Sequence, residues 1–275
     1  MNYTEIQIES TTEELQQTLI ALLNNIGYEG FEESMENFSF KAFVNDNDFD
    51  ENLLTKTLEP FKVTFIKTNI EETNWNALWE SNFNPITVDV IIYIRANFHE
   101  PKSNFPYQII ITPKMSFGTG HHATTYMCLQ LMQLLDFNNK TVYDFGTGTG
   151  ILAIHAEQLG ANHVLAVDND DWCIENSKEN IIANNCSKIE IAKVENASVN
   201  KTFDIVIANV NRHIIIENMV YLANAVTTKG SIIVSGIMQE DESEIVQLFA
   251  DYNFNLQTQK NKDGAMWIAL LFTKN

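Results

Sequence analysis

The chain has 275 residues, 45% of them hydrophobic, enough for one large or two modest domains with an ample core. Its 36 acidic and 17 basic residues give a net charge of −19, a field that repels the nucleic-acid backbone, excludes an extended nucleic-acid surface and favours a basic protein partner. No basic-plus-apolar leader and no apolar run of about 18 residues occurs, so the sequence predicts a soluble, cytoplasmic protein with no membrane association. Cys128, Cys173 and Cys186 are odd in number and lack CxxC spacing, which points to buried free thiols rather than disulfides or zinc.

Residues 1–68 read as a small α/β unit. Tyr3 to Ile8 alternates like a strand with one wet face, and Thr11-Thr-Glu-Glu14 opens a helix through Leu15, Leu19, Leu22 and Leu23 to Gly27. Two strand-like runs lie between Phe31 and Phe43. A second helix spans Asp50 to Leu58, stopped by Pro60, and a last strand spans Phe61 to Lys67. The order β-α-β-β-α-β predicts a ferredoxin-like unit, and with no glycine-rich loop or metal spacing its task is docking. Residues 69–84 follow as a linker helix whose Trp75 and Trp79, at i and i+4, form one apolar stripe. The larger domain is assigned to residues 85–275.

That domain begins with strand-like runs at Val88–Arg95 and Tyr107–Thr112. Phe117-Gly-Thr-Gly-His-His-Ala-Thr-Thr125 then leads into an amphipathic helix through Leu129, Leu131, Leu134 and Leu135. Small and hydroxyl residues at a helix start, here Gly120, Thr124 and Thr125, can present N–H and O–H donors to a carboxylate. His121 and His122 are adjacent without a third ligand in sequence, so His122 reads as a loop hydrogen-bonding group and no metal is expected.

Thr141-Val-Tyr-Asp-Phe-Gly-Thr-Gly-Thr-Gly-Ile-Leu-Ala-Ile-His155 is the stretch with the most chemistry. A strand ends at Phe145, Gly146, Gly148 and Gly150 alternate, and a helix pattern follows. Glycine tolerates positive φ and has no Cβ to block a ligand. The spacing is acidic-x-G-x-G-x-G from Asp144, not the G-x-G-x-x-G of dinucleotide sites. Val164-Leu-Ala-Val-Asp168 supplies a second strand ending in a carboxylate, 22 residues after Gly146. In a βαβ unit that carboxylate emerges beside the glycine turn and can accept both hydrogens of a ribose. The pattern resembles the nucleoside-binding turn of S-adenosylmethionine-dependent methyltransferases.

Taken with the loop from Phe117 to Thr125 about 20 residues upstream, it resembles more closely the ribosomal protein L-eleven methyltransferase family (PrmA type). The Trp75…Trp79, Ile207-Ala-Asn209 and Val234-Ser-Gly-Ile237 segments are similar too. The resemblance implies a substrate-recognition domain, a linker and a Rossmann-like methyltransferase domain. It implies S-adenosyl-L-methionine as cofactor, and a basic large-subunit ribosomal protein methylated at its terminal amine and its lysines. It places cofactor contacts at Thr125, Gly146, Asp168 and Asn209, to which the turn and loop add Asp144, Gly148, Gly120 and Thr124. The chain departs from the family in having Thr147 and Thr149 for cysteine and serine, Ala123 for proline, and Asn211-Arg212 for two aliphatic residues.

Asn209 ends the apolar strand Phe203-Asp-Ile-Val-Ile-Ala208, and the carboxyl edge of an open α/β sheet is where ligands bind. Asn209 is therefore the candidate to orient the amine or hold the methionine moiety. The following Val210-Asn-Arg212 lacks the Pro-Pro-aromatic sequence of amide and adenine methyltransferases. A strand at residues 230–237, a helix from Gln239 to Asp251, and a hairpin of Phe254–Gln259 with Met266–Phe272 complete the sequence. The expected fold is α/β: a Rossmann-like seven-stranded methyltransferase domain preceded by a small ferredoxin-like α+β domain. A methyltransferase of a small molecule or RNA, or a noncatalytic S-adenosylmethionine-binding module, remains the alternative.

Overall fold

The computed structural model describes residues 3–9, 12–34, 38–70, 84–112, 114, 116–262 and 266–275. Two compact units divide the chain, Met1–Phe83 and Asn84–Asn275. The Trp75 and Trp79 stripe lies outside the described residues.

The first unit runs β1 (Tyr3–Glu9), α1 (Glu13–Asn25), β2 (Gly30–Glu33), β3 (Ser39–Asn45), α2 (Glu51–Leu58) and β4 (Phe65–Ile70). Its sheet has the order β2-β3-β1-β4 with every neighbour antiparallel, which is the ferredoxin-like arrangement. Thr12 caps α1 by accepting from Leu15 N, and Asp50 caps α2 by accepting from Asn52 and Leu53 N–H groups. Ile6, Ile8, Leu19, Leu23, Phe40 and Leu54 fill the core between sheet and helices. The last strand starts later than the sequence pattern suggests. Pro60 opens a 3-10 turn over Glu59–Phe61, and Lys62 turns the chain with φ 56, so pairing begins only at Phe65.

In the second unit, β5 (Ile86–Val88), β6 (Ile92–Arg95) and β7 (Tyr107–Ile110) make a small three-stranded sheet. The single expected run Val88–Arg95 is broken because Asp89 adopts φ 50 and Ile91 N–H bonds Val88 O, so β5 and β6 form a hairpin. The main elements are α3 (Ala123–Met132), β8 (Thr141–Phe145), α4 (Ile151–Gln158), β9 (His163–Asp168), α5 (Asp171–Ala183) and β10 (Ile189–Lys193). They continue with β11 (Phe203–Asn209), α6 (Arg212–Ala225), β12 (Val226–Met238), α7 (Glu242–Asp251), β13 (Phe254–Asn261) and β14 (Trp267–Lys274). α3 ends at Met132, short of the expected Leu134 and Leu135, and Leu134 is exposed.

Seven strands form one sheet in the order β10-β9-β8-β11-β12-β14-β13. The first five are parallel, and β14 inserts antiparallel between β12 and β13. Successive residues of the central strands face opposite layers. Ile205 and Ile207 of β11 pack with Met127 and Ile151, whereas Val206 and Ala208 pack with Ile215 and Phe249. Burial on both faces explains why these strands read as continuous apolar runs. From β8 the chain builds outward to β10 and then returns to start β11 on β8's other side. The carboxyl ends of β8 and β11 therefore flank a topological switch point, where this kind of sheet opens a crevice.

Candidate active site

The crevice is a cavity of about 600 Å³. Gly146 and Gly148 after β8, Asp168 at the end of β9 and Asn209 at the end of β11 all line it. Gly146, Gly148 and Gly150 have φ values of 76°, 55° and 83°. A Cβ at Gly148 would collide with the Phe117 carbonyl oxygen, and one at Gly146 with the Val210 side chain. Only glycine satisfies both demands. The Gly146 and Thr147 N–H groups each donate to Val167 O at 2.9 Å, pinning the turn to β9.

Asp168 holds the turn from its other side. Its Oδ2 accepts from Gly148 N–H at 2.9 Å and its Oδ1 from Asp170 N–H at 3.1 Å. Asp170 in turn caps α5, accepting from Trp172 and Cys173 N–H groups. Each Asp168 oxygen keeps a free lone pair, so the carboxylate can still accept two hydroxyl hydrogens.

Asp144 lies beneath this floor and does not line the cavity. It is buried, with Oδ2 accepting from the Thr147 hydroxyl at 2.6 Å. Burial pushes its carboxyl up to about 7; the Thr147 hydrogen bond opposes that rise, and the nearby Asp168 charge adds to it. Thr125 is also buried and outside the lining. Its Oγ1 accepts from Asn209 Nδ2 at 3.3 Å, which leaves the Asn209 carbonyl oxygen uncommitted. Thr124 does line the cavity. Gly120 does not: it has φ 89, and a Cβ there would come within 2.8 Å of Ile94 Cδ1, so it serves loop packing.

His122 is the N-cap of α3. Its Nδ1 accepts from Thr124 N–H at 3.3 Å and lies 2.8 Å from Thr124 Oγ1. Its ring meets Phe117 and Trp267 edge-on, at 5.1 and 5.5 Å between centroids. Burial lowers its pKa, which favours the neutral ring that the capping bond requires. Among the described residues no group of three or more His, Cys, Asp or Glu is placed to hold a metal ion.

Several lining residues escape the sequence reading. Glu195 lies just beyond β10, a strand that the reading did not assign; the rule that finds Asp168, an acid at a parallel strand's carboxyl end, would have found it. Trp267 starts β14, and because β14 runs antiparallel its first residue reaches the edge where the parallel strands end. His213 and Glu217 line the cavity from one face of α6. Of the three thiols expected to be buried, only Cys128 is; Cys173 is half-buried on the cavity wall and Cys186 is half-buried too. Arg212 turns away to pair with Asp241 and Glu244, while Asn211 faces the cavity.

Sheet order, acidic-glycine turn and strand-end carboxylate together define a Rossmann-like methyltransferase that uses S-adenosylmethionine. The residues fit that cofactor: a carboxylate for a ribose, a glycine floor with no Cβ to block close approach, and a cavity of nucleoside size. The family described as ribosomal protein L11 methyltransferase (PrmA) matches residues 2–275. The ribosomal protein L11 methyltransferase of Phocaeicola vulgatus is 35% identical over 99% of both chains. That of Porphyromonas gingivalis is 34% identical over 96% of this chain and 93% of its own. The crystal structure of ribosomal protein L11 methylase from Lactobacillus delbrueckii subsp. bulgaricus superposes with a TM-score of 0.64 at 28% identity, covering 70% of this chain and all of that one. A methyltransferase from Pyrococcus furiosus shares the fold, with a TM-score of 0.52 at 17% identity over 60% of this chain and 89% of its own. The chain belongs to the ribosomal protein L11 methyltransferase family.

Proposed function

We propose that this enzyme transfers methyl groups from S-adenosylmethionine to lysine side chains and the N-terminal amine of ribosomal protein L11, a basic protein of the large subunit. The observation that carries the reading is the convergence of Gly148, Asp168 and Asn209 on one cavity at the switch point of a chain whose relatives are named for that substrate. Residues 85–275 perform the transfer, 69–84 link, and 1–68 recognise the substrate in the cytoplasm. No helix among the described residues is long and apolar enough to cross a membrane.

The cofactor, when bound, supplies an electrophilic methyl group on a sulfonium whose leaving group is a neutral thioether. The protein's task is then to hold nitrogen, carbon and sulfur in line. Asp168, its two oxygens already oriented by Gly148 and Asp170, fixes the ribose hydroxyls. The hydrogen bond to Thr125 orients Asn209 so that its carbonyl oxygen can accept from the incoming amine. A lysine ammonium must first lose a proton, about 4–5 kcal/mol uphill at neutral pH. The apolar walls from Phe145, Val210, Ile214 and Trp267 reduce that cost by penalising the charged form.

Transfer from labelled S-adenosylmethionine to purified bacterial ribosomal proteins, followed by intact mass of each product, tests the reading. Mass gained in steps of one methyl group on L11, absent with Asp168→Ala, is the expected result. Label on RNA or small molecules instead, or cofactor binding with no labelled acceptor, would overturn the substrate assignment.

A further inference from the structure

The loop that leads into α3 carries Phe117, His122 and Thr124 to the cavity. Among the described residues, a backbone–backbone hydrogen bond from Thr149 N–H to Phe117 O at 3.0 Å ties it to the glycine turn. Thr149 does more from the same position. Its hydroxyl donates to Gly118 O at 2.6 Å, and its own carbonyl accepts from Asn180 Nδ2 at 2.8 Å. Asn180 also donates to Asn176 Oδ1 at 3.2 Å and accepts from Thr112 N–H at 2.8 Å. One helical turn further, Asn184 accepts from Ile110 N–H and donates to Ile110 O, at 2.8 and 2.7 Å. Asn180 on α5 and Asn184 at its C-cap, four residues apart, grip the end of β7 and its exit, while Thr149 grips the loop beyond.

Thr149 and Asn180 are both completely buried and neither lines the cavity. The glycine floor fits the same contact, since a Cβ at Gly148 would strike Phe117 O. Floor and wall are thus built against each other through one buried chain of hydrogen bonds: Asn180, Thr149, Gly118. A buried side-chain hydrogen bond of this kind is costly to leave half-made, because the Gly118 carbonyl would lose its partner.

We propose that Thr149 and Asn180 are positioning residues: they latch the 116–122 loop onto the glycine turn, so that the wall of the cofactor cavity stands before ligand arrives. The proposal rests on the cavity's reading as the S-adenosylmethionine site. A ligand that needs the closed wall binds with a dissociation constant divided by the fraction of molecules in which the wall is closed. Releasing the latch in nine molecules of ten raises the apparent Kd about tenfold. Once cofactor is saturating, the closed state is restored and the maximal rate returns.

Thr149→Val keeps the shape and removes the hydroxyl, whereas Thr149→Ser keeps the hydroxyl. In the full chain, Thr149→Val is expected to raise the Kd and KM for S-adenosylmethionine about tenfold with kcat within about twofold, and Thr149→Ser to restore the wild-type values. In the unliganded proteins, amide hydrogen exchange over Gly118–His122 is expected to quicken in Thr149→Val but not in Thr149→Ser. Should valine prevent folding, Thr149→Ala reads the same loss. Unchanged exchange in the hydroxyl-less variant overturns the latch, as does an equal loss of affinity in the serine variant or a fall in kcat at unchanged KM. Absence of S-adenosylmethionine binding by the unaltered protein would defeat the reading of the cavity instead, while the ligand-free exchange comparison would still report on the latch.

Discussion

The two units handle polarity in opposite ways. Met1–Phe83 holds 16 acidic and 4 basic residues and so carries −12 of the net charge, whereas the longer Asn84–Asn275 holds 20 and 13 and carries −7. Among the described residues of the first unit, only Thr4, Gln16 and Ser39 are buried polar groups, and its core is otherwise apolar. The second unit buries Thr125, Asp144, Thr147, Thr149, Asn176 and Asn180 directly beneath or beside the cavity. Exposed charge acts at range and is screened by salt. Buried, mutually satisfied polar groups act only by contact and fix geometry. The contrast fits the proposed division of labour, with encounter in one unit and preorganisation in the other.

The largest expected effect tests the preorganised side. Asp168→Ala removes the acceptor for Gly148 N–H together with the two ribose contacts proposed for it, interactions each worth about 1.5–3 kcal/mol when an ion takes part. Affinity for S-adenosylmethionine should fall about a thousandfold, roughly 4 kcal/mol, as read by titration calorimetry. A loss below tenfold would show that the carboxylate is only a structural cap.

Next comes the core of the acidic unit. Leu19 of α1 is fully buried, and Leu19→Ala should destabilise that unit by about 3 kcal/mol in urea unfolding. Cofactor affinity should stay within about twofold, since every candidate cofactor residue lies beyond Asn84. A matching loss of affinity would dissolve the division of labour.

Asp144 gives a smaller, pH-dependent effect within the second unit. Unfolded, its carboxyl titrates near 3.8; folded, near 7. Between those values the unfolded chain has released a proton that the folded protein still holds, so the folded state loses stability as pH rises, by up to about 1.4 kcal/mol per unit. Asp144→Asn has no such slope. Relative to the variant, the wild type should lose about 2 kcal/mol from about pH 5 to 7 in unfolding titrations. Parallel stability curves would show that the buried carboxyl is charged throughout.

How much of this was legible follows from how local each signal is. The glycine turn and Asp168 could be read because a positive φ and a strand-ending acid are properties of a few consecutive residues. Asn209 was legible for the same reason. Gly120 and Thr125 were placed in the right neighbourhood, but not their facing: one packs on Ile94, the other lies under Asn209. Trp267 reaches the cavity through the direction of β14, which no short window contains, whereas Glu195 went unread because the short strand β10 before it was not assigned. The link from Asn180 to Thr149 spans 31 positions and joins a helix interior to a turn. Mid-helix asparagine has poor helix propensity, which marks α5 as unusual without saying what its amides grip.

The smallest expected effect addresses the acidic side. Glu9, Glu29 and Glu32 are exposed in the first unit and cap no helix, so converting all three to lysine should leave the fold and the cofactor Kd unchanged. The change alters the unit's charge by six and weakens attraction for a basic protein. KM for L11 should rise about fivefold to tenfold at low ionic strength, with kcat unaffected. At about 1 M salt, where the screening length shrinks to about 3 Å, wild type and variant should converge. A KM increase that persists in high salt would mean these carboxylates make direct contacts, and no increase at all would mean that the charge serves only solubility. The salt dependence therefore separates steering from binding, which a single KM measurement cannot do.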